Sequence, residues 1–147
     1  QLHFQEGIFH EDNLFTPIAC YYAQKVKIIP DCLYIYRIRK GSIMQHVNIT
    51  RLFDIIFIAN TLAEFFVSKD NIDKKIIYRE IAGSYFRGFM PEDIKVFGNN
   101  DRKLRSKINW HLYKKISIFP RHKRIYQLLK IHPVLFRFYL WIEKSLK

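Results

Sequence analysis

The stretch KVKIIPDCLYIYRIRKGS, residues 25–42, decides how the chain is to be read. Residues 25–30 and 32–39 are two short runs rich in Ile, Val and Tyr, separated at Asp31 by a Pro-Asp turn, which is the pattern of an antiparallel strand pair. Side chains alternate along a strand, so Leu33, Ile35, Arg37 and Arg39 would share one face while Tyr34, Tyr36 and Ile38 share the other. Both arginines then lie toward the end of the run, beside Lys40-Gly41-Ser42, where glycine breaks the strand and leaves a cationic loop carrying a hydroxyl. Such a loop can wrap a phosphate. The reading makes the chain mainly α with a small α/β portion.

Working toward the N-terminus, residues 15–24 have helical character, and ahead of them stands GIFHEDNLF, residues 7–15, with Glu11 and Asp12 side by side between apolar neighbours. The plain account of that pair is local: Asp12 or Asn13 caps the helix, and negative charge in a first turn favours the helix dipole. Toward the C-terminus the period becomes that of helices. Asn48 or Thr50 can cap a run reaching about Lys69, and Asp70 or Asn71 can start the next, whose stripe is Ile72, Ile76, Ile77, Ile81, Tyr85, Phe86 and Phe89. Pro91 and Gly98-Asn99-Asn100 make an irregular connection. Beyond it Leu104, Ile108, Leu112, Ile116 and Phe119 form a further stripe that Pro120 ends, and helices over about 121–131 and 133–145 flank the break at His132-Pro133.

Composition sets the outer bounds. At 147 residues, 49% apolar and 16% aromatic, the chain can bury a core of one domain, and overall disorder is excluded. Cys20 and Cys32 make neither a disulfide framework nor a four-ligand zinc site, and no signal-peptide pattern is present, so a cytoplasmic location is the expectation. The most apolar run, residues 52–67, is interrupted by Asp54, Asn60 and Glu64 and falls short of the roughly 18–20 apolar residues of a membrane span. Opening on Gln1 in what reads as mid-domain sequence, the chain is expected to be a fragment. Of the net charge of +12, +11 lies at one end: residues 101–147 hold thirteen Lys/Arg against two Asp/Glu, interleaved with Trp110, Tyr113, Tyr126, Tyr139, Trp141 and other rings. Such a segment is a solvated helical face, an anionic-membrane surface or, with less weight, a nucleic-acid surface.

Taken together, Glu11-Asp12, a helix carrying Ala19, the run VKIIP and then LYIYRIRKGSIM resemble the C-terminal part of the GT-A domain of a bacterial family 2 glycosyltransferase. The similarity covers residues 1 to about 46, which gives residues 1–47 as the end of a catalytic domain and 48–147 as a helical C-terminal extension. The resemblance implies transfer of a sugar from a nucleotide-sugar donor to an acceptor hydroxyl with inversion, in surface polysaccharide synthesis. The catalytic base would be Asp12, with Glu11 supporting it or orienting the acceptor; a carboxylate suits the role because it can take the hydroxyl proton as the new bond forms. Arg37, Arg39 and Ser42 match the family's Arg-x-Arg-x-x-Ser lid over the leaving diphosphate, where arginine's planar fork engages two oxygens.

His10 and His46 are further candidates as acceptor or phosphate contacts, although a lone histidine is more often unspecialised. No metal ligand is assigned within the chain. The resemblance implies a divalent cation, Mg or Mn, in the intact enzyme, held mainly by an N-terminal nucleotide-binding half whose Asp-x-Asp motif has no counterpart in these residues. This piece alone is accordingly expected to be inactive. The implied partners are the nucleotide sugar and a saccharide or lipid-linked acceptor, at the inner face of a membrane if the basic segment binds one. Two other readings stay open, a non-enzymatic basic helical domain that binds nucleic acid or anionic lipid, and an interaction scaffold.

Overall fold

Residues 2–35, 37, 49–90 and 100–146 are described by a computed structural model. They form seven helices: α1 (Glu11–Tyr22), α2 (Ile49–Val67), α3 (Lys74–Arg87), α4 (Asp101–Ser106), α5 (Trp110–Ile116), α6 (Pro120–Ile131) and α7 (Pro133–Ser145). α2 is the hub, in contact with α1, α3, α4 and α5, while α6 packs on α3, α5 and α7. It buries Leu52, Ile56, Ile58, Ala59, Leu62, Ala63 and Phe66. Among the described residues no helix is long and apolar enough to cross a membrane.

Two of the polar residues that interrupt α2, Asp54 and Asn60, tie it to other segments. Asn60 donates through Nδ2 to the Lys107 carbonyl at 2.8 Å, and its Oδ1 accepts from the Asn109 N–H at 2.9 Å and from the Tyr85 hydroxyl at 2.7 Å. One amide therefore joins α2, α3 and the turn between α4 and α5. That turn divides what the periodicity presents as a single stripe. Asn109, with extended backbone, caps α5 by accepting from the Leu112 N–H at 3.1 Å, so the helix restarts there. Leu104, Ile108 and Ile116 still reach the core from either side of the break. Pro120 does not close a helix but opens α6 at its first turn, where its missing N–H costs nothing.

α3 begins later than Asp70 or Asn71 would start it. Its cap is Asp73, whose Oδ1 accepts from the N–H groups of Lys75 and Ile76 at 2.9 and 3.3 Å. The centre of the core is aromatic: the fully buried rings of Tyr85 and Tyr113 stack at 4.3 Å, and Tyr126 meets Tyr113 edge-on at 5.4 Å. Two ion pairs clasp α7: Arg137 to Asp101 of α4 at 2.7 Å, and Arg121 of α6 to Glu143 at 2.9 Å.

The small α/β portion is corrected: among the described residues there is no strand, and the architecture there is all-helical. After α1 the chain through residue 35 has neither helix nor strand. Val26, Ile28, Leu33, Tyr34 and Ile35 are 70–91% exposed. Strand preference is a fit to a pleated, half-buried surface, and a lone two-stranded ribbon is marginal in water. Among the described residues there is no sheet edge for this segment to join, and its apolar side chains remain exposed.

Candidate functional site

Within the sequence Gly7 to Asp12, His10 and Asp12 line a cleft. Gly7 and His10 both have positive φ, +77° and +62°, so the chain turns sharply before entering α1. A left-handed backbone costs a residue other than glycine roughly 1–2 kcal/mol, and at His10 two tethers to α2 hold the surrounding turn. The Phe9 N–H donates to Asp54 Oδ2 at 3.0 Å, and Arg51 Nε donates to His10 Nε2 at 2.9 Å. His10 is the N-cap residue of α1 but makes no side-chain cap bond; Glu11 and Asp12 lie in the first turn. Asp12 and Asn13 are thus inside the helix and do not cap it, while the two carboxylates complement its dipole.

His10 accepts through Nε2, which requires that nitrogen to carry no proton. Burial, helped by the Arg51 guanidinium, lowers its pKa below 6.5 against the opposing pull of Asp12, Glu11 and Asp54. At neutral pH it is an uncharged imidazole, fixed by Arg51 and half-buried.

Two adjoining cavities, about 440 and 500 Å³, open between α1, α2 and α3, and Asp12, Asn13, Ser84 and Arg87 border both. The first is completed by Thr16, Pro17, Leu62, Phe66, Ile77, Glu80 and Ile81, the second by His10, Arg51, Ile55 and Ile58. Each volume lies within the range of small-molecule sites. An apolar floor and a rim carrying Asp12, Arg51, Glu80 and Arg87 can hold a polyhydroxylated or anionic group over hydrocarbon. Arg87 lies 3.7 Å from Glu80, both side chains more than half exposed, so the contact is solvent-screened. Pro17 has no N–H to give the Asn13 carbonyl, a helical bond therefore absent at the cleft wall.

Of the residues singled out from the sequence, Asp12 and His10 are brought together at this cleft. Glu11 is exposed and does not line it, and Arg37 is exposed in a segment without regular structure. Arg39, Ser42 and His46 lie outside the described residues. Arg51, Ser84 and Arg87 are the additions. Arg51 directly follows a candidate cap and Arg87 ends an amphipathic stripe, so each reads from sequence as solvated surface; only the approach of α2 to α3 gives them a common target. Among the described residues no three His, Cys, Asp or Glu side chains are arranged to hold a metal ion. Compared with known proteins, the chain matches no family model, no curated protein and no solved structure at significance.

Proposed function

We propose that the chain carries the acceptor-activating part of an inverting glycosyltransferase, with Asp12 as the base and the donor-binding half lying outside these residues. The observation that supports this most is positional. Asp12, the carboxylate singled out by its place in the motif, borders both cavities together with Arg87, and Arg51 stands at the second. Asp12 is exposed like Glu11, and its place on the lining of both cavities is what distinguishes it from its neighbour.

In the proposed step the acceptor oxygen attacks the anomeric carbon as the bond to the nucleotide diphosphate breaks on the opposite side. The hydroxyl proton passes to Asp12, and the diphosphate departs with the bonding electrons. Arg37, Arg39 and Ser42 supply charge and donors to that leaving group, since stabilisation of developing charge is usually the largest catalytic term. His10 holds the turn leading to Asp12 through Arg51, and that hydrogen bond occupies its Nε2 lone pair.

The experiment is transfer by the full-length protein across a panel of nucleotide sugars, with nucleoside diphosphate affinity measured for Arg37→Ala and Arg39→Ala. At least one replacement is expected to weaken diphosphate binding by about 1.5–3 kcal/mol, the range for hydrogen bonds to charged groups. Nucleoside without phosphate should bind variant and parent alike. Unchanged diphosphate affinity in both variants would remove the lid from the account.

A further inference from the structure

α7 is apolar on both sides. Pro133, Phe136 and Leu140 are buried against the bundle, while Val134, Leu135, Phe138, Trp141 and Ile142 are exposed. At 3.6 residues per turn those five side chains fall within an arc of about 120° directly opposite the buried stripe. Leu146, 82% exposed, extends the arc past the helix end, and Ser145 is its one polar member. Phe138 and Trp141, 58% and 63% exposed, stack on each other at 5.9 Å and so present one broad aromatic surface. A soluble helix that needs only to cover its core would place polar residues there.

Cations border the stripe on both sides. Exposed Lys144 lies toward the Trp141 edge of the wheel, and on the opposite edge Arg124 of α6 sits over the Tyr139 ring at 5.7 Å. The two carboxylates of residues 101–147, Asp101 and Glu143, are each held by an arginine, within a segment of net charge +11. A second copy seated on this face would bring two such segments together. A negatively charged bilayer would not, and its headgroup region accepts exposed aromatic and aliphatic side chains.

We propose that the outer face of α7 is a docking surface for an anionic lipid bilayer, the helix lying in the interface with Phe138 and Trp141 inserted and the flanking Lys and Arg on the headgroups. This face is distinct from the Asp12 cleft, and the inference holds whether or not the chain transfers sugar.

The chain has two tryptophans, and Trp110→Phe leaves Trp141 as the only reporter. Phosphatidylcholine vesicles with and without phosphatidylglycerol serve as the probe. Binding is expected only with the anionic lipid and should weaken as salt is raised. Trp141 emission should move to the blue and be quenched by lipids brominated in the upper acyl chain. In the parent chain Phe138→Glu, a change at an exposed position that should leave thermal unfolding unaltered, is expected to reduce vesicle affinity by roughly tenfold or more, following the usual value of a buried aromatic side chain. Equal affinity of the variant, absence of vesicle binding, or a lipid-free dimer with Trp141 already blue-shifted would overturn the proposal, the last identifying a second copy as the occupant. Binding to an RNA duplex but not to vesicles would overturn it in favour of nucleic acid.

Discussion

Two tyrosines stacked at the centre of the core differ by one hydrogen bond. Tyr85 donates to Asn60, whereas the buried Tyr113 hydroxyl has no partner among the described residues. Burial pushes the pKa of both phenols up, so each stays protonated and must place an O–H. Tyr85→Phe is therefore expected to cost about 1 kcal/mol in urea unfolding, while Tyr113→Phe, which removes an unsatisfied group, should be neutral or stabilising. His122 supplies the pH dependence. It is buried among Phe86, Phe119, Arg121, Arg79 and Glu80, and burial, then Arg121 and Arg79, lower its pKa below 6.5 against the pull of Glu80. The folded state thus binds fewer protons than the unfolded one between the folded pKa and 6.5, so stability should fall as pH drops below 6.5 and through the folded pKa. His10, lowered in the same direction, adds to the effect. Denaturation midpoints measured across that range should fall less steeply for His122→Leu than for the parent; an unchanged slope would show that His122 is not held neutral.

At the scale of elements, most helices were legible because a 3.6-residue stripe of Ile, Leu and aromatics survives local noise. Of the stripe over residues 72–89, Ile81, Tyr85 and Phe89 are buried whereas Ile76 is exposed, and the helix expected at residues 133–145 coincides with α7. What failed was context. Residues 25–35 have strong strand chemistry but no sheet to join, and chain-local preference carries no record of a missing neighbour. The break between α4 and α5 was hidden for a related reason, since Asn109 matters as a cap only because Asn60 from a distant helix fixes the turn ahead of it. Asn60→Ala should consequently be among the most damaging polar substitutions, leaving the Lys107 carbonyl and Asn109 N–H without this partner and freeing the Tyr85 hydroxyl. The expected cost is about 2–4 kcal/mol. Asp73→Ala, which removes a single exposed cap, should cost about 1 kcal/mol. Equal losses for the two in thermal or chemical unfolding would contradict the hub role of Asn60.

Across the whole molecule, two surfaces separate by chemistry. The cleft near the N-terminal end of the described chain is mixed in charge, gathered from α1, α2 and α3. The C-terminal helices are strongly basic, with an apolar outer face on α7. Charge segregation was legible, because it is a property of composition along the chain. Of the cleft residues the sequence singled out Asp12, through its motif, and His10, while Arg51 and Arg87 come together with Asp12 across about forty and seventy-five residues of sequence through packing that no local pattern encodes. Trp110, Tyr126 and Tyr139, interleaved with the basic residues, turn inward in part or whole, leaving Phe138 and Trp141 as the outward aromatics, a distinction that depends on which side of each helix meets α3 or α5. The proposed transfer of the acceptor's proton to Asp12 is tested by comparing Asp12→Asn with the parent full-length protein for turnover and nucleotide-sugar affinity together. An amide of the same shape cannot accept the proton, so turnover should fall by about 10²- to 10⁴-fold while donor affinity is unchanged. Near-parental turnover in Asp12→Asn would contradict the account.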